Sequence, residues 1–294
     1  MPRGGLPLLA ALAIGWGSFW PFMKIALAEM PILTFRAICG EVGGLALLLI
    51  ALIAGQSLAV PRGDWLRLLL LSIFGTTGWL CFSALGVSIL GSGRAVLIAY
   101  TMPLWAFLLG IWFLNERPSA KRWFGLAFGL GGIGIMVGQD LDFAALPPTG
   151  VLAMLGAALS WALGSVVFKY KPWGTRQLAL VGWQTVIGGL PICIAALLID
   201  RGGWLPLSGI ATFALTYNVV IGVVFGVWAW FRVVEQLPIS VASLGVLMVP
   251  VIGLASSAVI VGERFGWPEY LALGLIIIGL TTVLPLPRLP WQRR

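Results

Sequence analysis

The chain has 294 residues, 60% of them hydrophobic and only 10% charged, whereas soluble domains carry about 25% charged residues, so a water-soluble globule is excluded. Three cysteines and no histidine argue against a disulfide framework and remove Ser-His and Cys-His nucleophile pairs, HExxH metal sites and imidazole proton relays. The formal net charge of +8 falls on segments flanking apolar runs, so it answers to membrane orientation and no nucleic-acid partner is expected.

The apolar runs are each long enough to cross a hydrocarbon core of roughly 30 Å as helices, and their continuity excludes the alternating pattern of a β-barrel. Ten spans are predicted: 6–27, 32–54, 65–86, 92–114, 119–138, 149–169, 176–199, 210–233, 238–261 and 267–286. The expected fold class is an all-α polytopic membrane protein embedded in the lipid bilayer. The first run could pass for a signal peptide, but Trp16, Trp20 and Lys24 continue the same helix. Cys39, Cys81 and Cys193 all fall within spans and are expected to be small buried packing residues. The connections are short, with 56–64, 139–148 and 200–209 the longest, and none could bury a core of its own.

When sides alternate along these spans, one side receives Arg3, Arg62, Arg67, Arg117, Lys121, Arg122, Lys169, Lys171, Arg176, Arg232, Arg288, Arg293 and Arg294. The other receives Lys24, Arg94, Arg201 and Arg264. The rich side is read as cytoplasmic, with both termini there, in a bacterial inner membrane.

The segment from Tyr100 to Arg117 has a second copy. Pro103 precedes Glu116-Arg117 by thirteen residues, Pro250 precedes Glu263-Arg264 by thirteen, and the copies lie 147 residues apart, half the chain. Trp16 and Trp161 each stand eight residues before a lysine, Lys24 and Lys169. These spacings imply two homologous halves, 1–145 and 146–294. Each contains five spans, so the second half must cross the membrane in the opposite sense. Such an inverted repeat is the architecture of secondary transporters, whose site lies near the midplane.

Proline lacks an N–H, so Pro103 and Pro250 are expected to free the carbonyls of Ala99 and Val246 for a cavity; a static kink satisfied by water or a serine is the alternative. Intramembrane charge makes Glu41, Lys24 and Arg36 candidates for coupling or for a structural ion pair of Glu41 with Lys24 or Arg36. Glu116 and Glu263, just before the fifth and tenth spans and close to Pro118 and Pro268, suit the positive ends of those helices. Glycines crowd the fifth span and mark the tenth, where close helix packing is expected. Of fifteen tryptophans, Trp65, Trp123, Trp173, Trp204, Trp267 and Trp291 lie at span ends as interfacial anchors, and the others lie within spans, where an indole N–H needs a partner or a wet cavity.

The two five-span halves, the proline-to-Glu-Arg segments, Arg36 against Gln184 in the second spans and the glycine-rich fifth and tenth spans together resemble the drug/metabolite transporter superfamily in its ten-helix EamA-type branch. The opening Trp16-Gly-Ser-Phe-Trp-Pro21 and the tryptophan-rich spans are similar to those of bacterial aromatic amino-acid exporters. The resemblance covers essentially the whole chain. It implies an inner-membrane exporter with a central cavity built by the first, third, fourth, sixth, eighth and ninth helices; alternating access, no enzyme activity and no cofactor are expected beside it.

From the residues themselves, the candidate substrate-binding set is Trp16, Ser18, Trp79, Phe82, Tyr100, Pro103, Trp161, Ser165, Tyr217, Asn218, Trp228, Met248 and Pro250. Such a lining suits a small amphipathic solute, a neutral or aromatic amino acid or related metabolite, and suits a phosphate badly. A multidrug exporter of aromatic cations would use the same rings but needs a deep acid, for which Glu41 alone is available. A membrane enzyme is disfavoured, since no histidine exists and no two intramembrane acids lie close in sequence. A monomer is compatible with the chain, whose oligomeric state is left open.

Overall fold

The computed structural model describes residues 5–90, 95, 98–140, 147–200, 206–261 and 266–283. The helices are α1 (Gly5–Leu27), α2 (Ile32–Ile53), α3 (Trp65–Ser72), α4 (Trp79–Leu90), α5 (Met102–Leu114), α6 (Ala120–Asp140), α7 (Pro148–Lys169), α8 (Gln177–Ile199), α9 (Gly209–Tyr217), α10 (Gly226–Gln236), α11 (Ile239–Gly245), α12 (Met248–Val261) and α13 (Trp267–Val283). Six stretches among the described residues are long and apolar enough to cross a membrane, including 62–90 and 209–236, each a single helix interrupted by a π-helical segment. Shorter apolar helices are Met102–Leu114, Ile239–Gly253 and Tyr270–Thr281. No strand occurs among the described residues.

Local chemistry marks the ends. Pro31, Pro147 and Pro238 precede α2, α7 and α11, where a fixed φ and a missing N–H cost nothing. Asn115 takes the left-handed conformation, φ 53°, and stops α5.

The bundle is apolar outside as well as inside, unlike a soluble protein. Large apolar side chains such as Ile53, Leu197 and Val259 stand exposed on the perimeter, while Arg36, Thr76, Gln184 and Asn218 are buried. In a bilayer the exposed set faces lipid and the buried polar set must find partners within the protein. The helices α2 and α8 pack along each other, as do α1 and α12, and α6 and α13. The last pair meets through glycines as the sequence predicts: a Cβ at Gly132 would stand 2.7 Å from the Ala272 carbonyl, and one at Gly279 2.8 Å from the Gly125 carbonyl. Gly131, Gly134 and Gly274 face open space instead.

Among the described residues, four interruptions organise the interior. The π segments Ile73–Gly78 and Asn218–Phe225 begin 145 residues apart (218 − 73). The helix breaks at Tyr100–Thr101 and Val246–Leu247 begin 146 apart (246 − 100). Each π segment gives a carbonyl to a side chain from another helix, Phe74 to the Ser160 hydroxyl at 2.8 Å and Gly222 to the Trp16 indole at 3.0 Å. The prolines act differently from the sequence-based expectation. Pro103 lies in the first turn of α5 and Pro250 in that of α12, where a new helix starts. The Val246 carbonyl is not free, because the Val249 N–H bonds it at 2.9 Å.

One end of the bundle is closely tied. Glu116 does not serve the helix that follows it; its carboxylate accepts the N–H groups of Ile239 and Ser240 at 2.6 and 3.2 Å and the Ser240 hydroxyl at 2.6 Å, capping α11 of the other half. The matching Glu263 lies outside the described residues. Lys169 donates to the Val234 carbonyl at 2.7 Å and to that of Leu237, and Arg122 donates to the Ser240 hydroxyl at 3.1 Å. Arg67 donates to the carbonyls of Lys171 and Pro172 and lies 3.9 Å over the Trp173 ring. Trp173 is thus clamped by Arg67 at this end of the bundle, whereas Trp65, Trp123 and Trp267 are exposed; Trp204 and Trp291 lie outside the described residues.

The opposite end carries two ties among the described residues. Glu29 accepts the N–H and hydroxyl of Ser208 at 2.8 and 2.6 Å, and Asp200 accepts those of Thr34 at 2.8 and 2.7 Å. All three cysteines are free; Cys39 is buried, but Cys81 is exposed on the perimeter, against expectation.

Candidate functional site

A cavity of about 140 Å³ opens in the centre of the bundle, where the four interruptions meet. Ala99, Tyr100, Val246 and Val249 reach it from the helix breaks, and Gly75, Thr76, Asn218 and Gly222 from the π segments. Discontinuous helices of this kind are where membrane proteins can present backbone polar groups without exposing them to lipid.

Tryptophans make one wall. The Trp161 ring lies 5.7 Å from that of Trp16 at 70° and 5.5 Å from that of Trp79 at 60°. Trp230, 6.1 Å from both Trp16 and Trp161, supports them from behind and donates to the Ser165 hydroxyl at 3.0 Å. Trp20 adds a fourth lining indole, whose N–H bonds the Tyr100 hydroxyl at 3.1 Å. The correspondence between Trp16 and Trp161 in the sequence is thus a contact in space.

Of the sequence-based candidates, Trp16, Trp79, Tyr100, Trp161 and Asn218 line the cavity, and so does Arg36. The others do not. Ser18 bonds the Tyr217 hydroxyl at 2.6 Å, and Tyr217 stacks on Phe22 at 4.4 Å, away from the lining. Ser165 is buried behind Trp161, whose carbonyl takes its hydroxyl at 3.0 Å. Phe82 is 44% exposed on the perimeter. Trp228 borders a separate depression at the tied end with Lys169, Trp173 and Arg232. Pro103 and Pro250 are buried and Met248 half-buried outside the lining.

Lys24 is exposed near the end of α1. Glu41 lies between α2 and α8 beside Gly189, outside the lining, and its Oε1 has no hydrogen-bond partner among the described residues. No ion pair between Glu41 and Arg36 forms among the described residues.

Sequence reasoning missed the contribution of the second and seventh spans. Phe35, Arg36, Cys39 and Gly40 of α2 and Gln184 and Thr185 of α8 complete the lining, so the wall is not confined to the six helices expected. The signal was present: Arg36 and Gln184 occupy matching places in the two halves, 148 residues apart (184 − 36).

The polar part of the lining is incompletely bonded. Gln184 donates to the Thr76 hydroxyl at 3.1 Å and Asn218 to the Ala214 carbonyl at 2.8 Å. The Arg36 Nε, Trp161 Nε1, Gln184 Oε1 and Asn218 Oδ1 atoms have no hydrogen-bond partner among the described residues. A group buried this deeply without a partner costs about 1–3 kcal/mol, more when charged, a cost that any molecule bonding these atoms would offset. Among the described residues no group of His, Cys, Asp and Glu could hold a metal ion.

Comparison with known proteins agrees with this architecture. The model of the EamA-like transporter family matches the chain twice, over residues 3–138 and 148–284. The Bacillus subtilis transporter YoaV is 25% identical over 262 residues, covering 88% of this chain and 86% of its own. A protein of Escherichia coli named "Probable amino-acid metabolite efflux pump" is 28% identical over 293 residues, covering 95% and 94%. A solved crystal structure superposes with a TM-score of 0.83 over 96% of each chain at 19% identity, which marks a shared fold. With both halves matched and the cavity framed by broken helices, the chain belongs to the EamA-like transporter family and is a membrane transporter, not an enzyme.

Proposed function

We propose that this transporter exports small amphipathic metabolites, neutral and aromatic amino acids foremost, across the bacterial inner membrane by alternating access to the central cavity. The observation that carries this reading is the wall of indoles from Trp16, Trp20, Trp79 and Trp161 beside the two helix breaks. A substrate ring packs on the indole edges and faces while its polar end meets the groups left unbonded opposite. The name of the Escherichia coli relative supports the substrate class.

In this reading the ten spans form two inverted halves, 1–145 and 146–294, with both termini in the cytoplasm because thirteen of the seventeen counted lysines and arginines fall on that side. The tied end, with Glu116, Lys169 and Arg67, then closes the cytoplasmic side, and the cavity is loaded or emptied from the other. A multidrug exporter of aromatic cations fits less well, since the charged side chain in the lining is Arg36 and Glu41 lies outside it.

Purified protein in liposomes loaded with labelled amino acids tests the reading. Trp16→Ala and Trp161→Ala are each expected to weaken apparent affinity several-fold, from roughly 0.5–2 kcal/mol per lost ring contact. Unchanged transport of every amino acid in both variants at normal expression overturns it.

A further inference from the structure

Arg36 presents a problem of charge. It lies in the first turns of α2, inside a membrane helix, and only 7% of its surface is exposed. Among the described residues it has no carboxylate partner, and its Nε has no hydrogen-bond acceptor. An intramembrane cation without a counter-charge is costly and persists where function requires it. Arg67 and Lys169, by contrast, are each held by two or more backbone carbonyls.

The same cavity holds unbonded acceptors. The Asn218 assignment is fixed by its neighbour: the Ala214 carbonyl can only accept, so the atom 2.8 Å from it must be the amide nitrogen, and Oδ1 is left without a donor. Asn218 is 1% exposed and lines the cavity, as does Gln184, fully buried, with its Oε1 also unbonded. A cationic donor and neutral carbonyl acceptors thus share one apolar, indole-lined space.

We infer that Arg36 is the carboxylate anchor of this transporter, and that the amide oxygens of Asn218 and Gln184 receive the ammonium, so that the site selects free α-amino-acid zwitterions over their esters, amides and decarboxylated amines. The inference rests on the proposed transport of amino acids and names the chemistry by which the same cavity would recognise them. A carboxylate supplies the counter-charge that Arg36 lacks, through charge-assisted hydrogen bonds. Esterification removes that charge, and decarboxylation leaves a lone cation beside a guanidinium.

The test begins with the unmodified protein, so no variant has to fold. Binding of tryptophan, tryptophan methyl ester, tryptamine and indole-3-propionate to the purified transporter is measured by calorimetry. The ester and tryptamine should each bind at least about tenfold more weakly than tryptophan, with indole-3-propionate retaining part of the affinity. Arg36→Gln should then reduce the affinity for tryptophan by about tenfold or more, collapsing the preference over the ester, and Arg36→Lys should restore part of it. If the ester and tryptamine bind as tightly as tryptophan, the Arg36 assignment is overturned while the cavity reading stands. If none of the four binds and no amino acid is transported, the proposed function itself fails, and this inference with it.

Discussion

The tied end of the bundle and the cavity above it use the same kinds of residue in opposite ways. At the tied end Glu116 accepts three donors, Lys169 serves two carbonyls, and Arg67 bonds backbone carbonyls and covers an indole. In the cavity, Arg36, Asn218, Gln184 and Trp161 each leave a buried polar atom unbonded. The difference separates two roles for polarity in a membrane. Satisfied groups lock helices together, whereas in the proposed site the unsatisfied ones await a substrate, at a cost in stability.

The largest effect expected from this contrast is at Glu116. Replacing it by alanine strands the N–H groups of Ile239 and Ser240 at the start of α11, and hydrogen bonds to a charged group are each worth about 1.5–3 kcal/mol. Glu116→Ala should therefore lower thermal stability in detergent by the equivalent of about 3 kcal/mol and open the tied end to thiol reagents at a cysteine placed nearby. A melting temperature within a degree or two of the parent would contradict the structural role.

Arg36→Met should do the reverse. Removing a buried charge that has no partner, with an apolar chain of similar length in its place, is expected to raise stability by about 1 kcal/mol while abolishing selective binding. Glu116→Ala and Arg36→Met therefore shift the melting temperature in opposite directions. A loss of stability in both would place Arg36 among the locking residues.

The smallest effect concerns the other end. The Ser208 hydroxyl and then its N–H hold the Glu29 carboxyl below the usual carboxylate range. A lowered folded-state value means that the tie stabilises the protein above the ordinary carboxylate pKa, about 4.3, and is lost as pH falls through the lowered value. Because Glu29 is fully exposed, acidification should produce only a local increase in amide exchange at the start of α9, absent in Glu29→Gln. An equal rise in Glu29→Gln would contradict the tie.

The sequence by itself determined the membrane class, because apolar runs about as long as a bilayer is thick have few other uses. It also located part of the cavity: the pairing of Trp16 with Trp161 and the break beside Tyr100 were legible from a spacing that repeats along the chain. The tertiary structure alone decided which faces turn inward. A π segment places an extra residue within a helical turn and so rotates the succeeding turns by about 100° relative to a straight helix. Past these segments Trp79 and Val227 turn toward the cavity, whereas Phe82 and Trp228 turn away from it. The partner of Glu116 was equally hidden, since the chain meets Ile239 only after 123 further residues (239 − 116) and a capping bond depends on where helix ends meet. Arg36 was visible as a charge in a span, but only the packing of α2 against α8 set it in one cavity with Gln184 and Asn218, with no counter-charge among the described residues, and the task proposed for it rests on that placement.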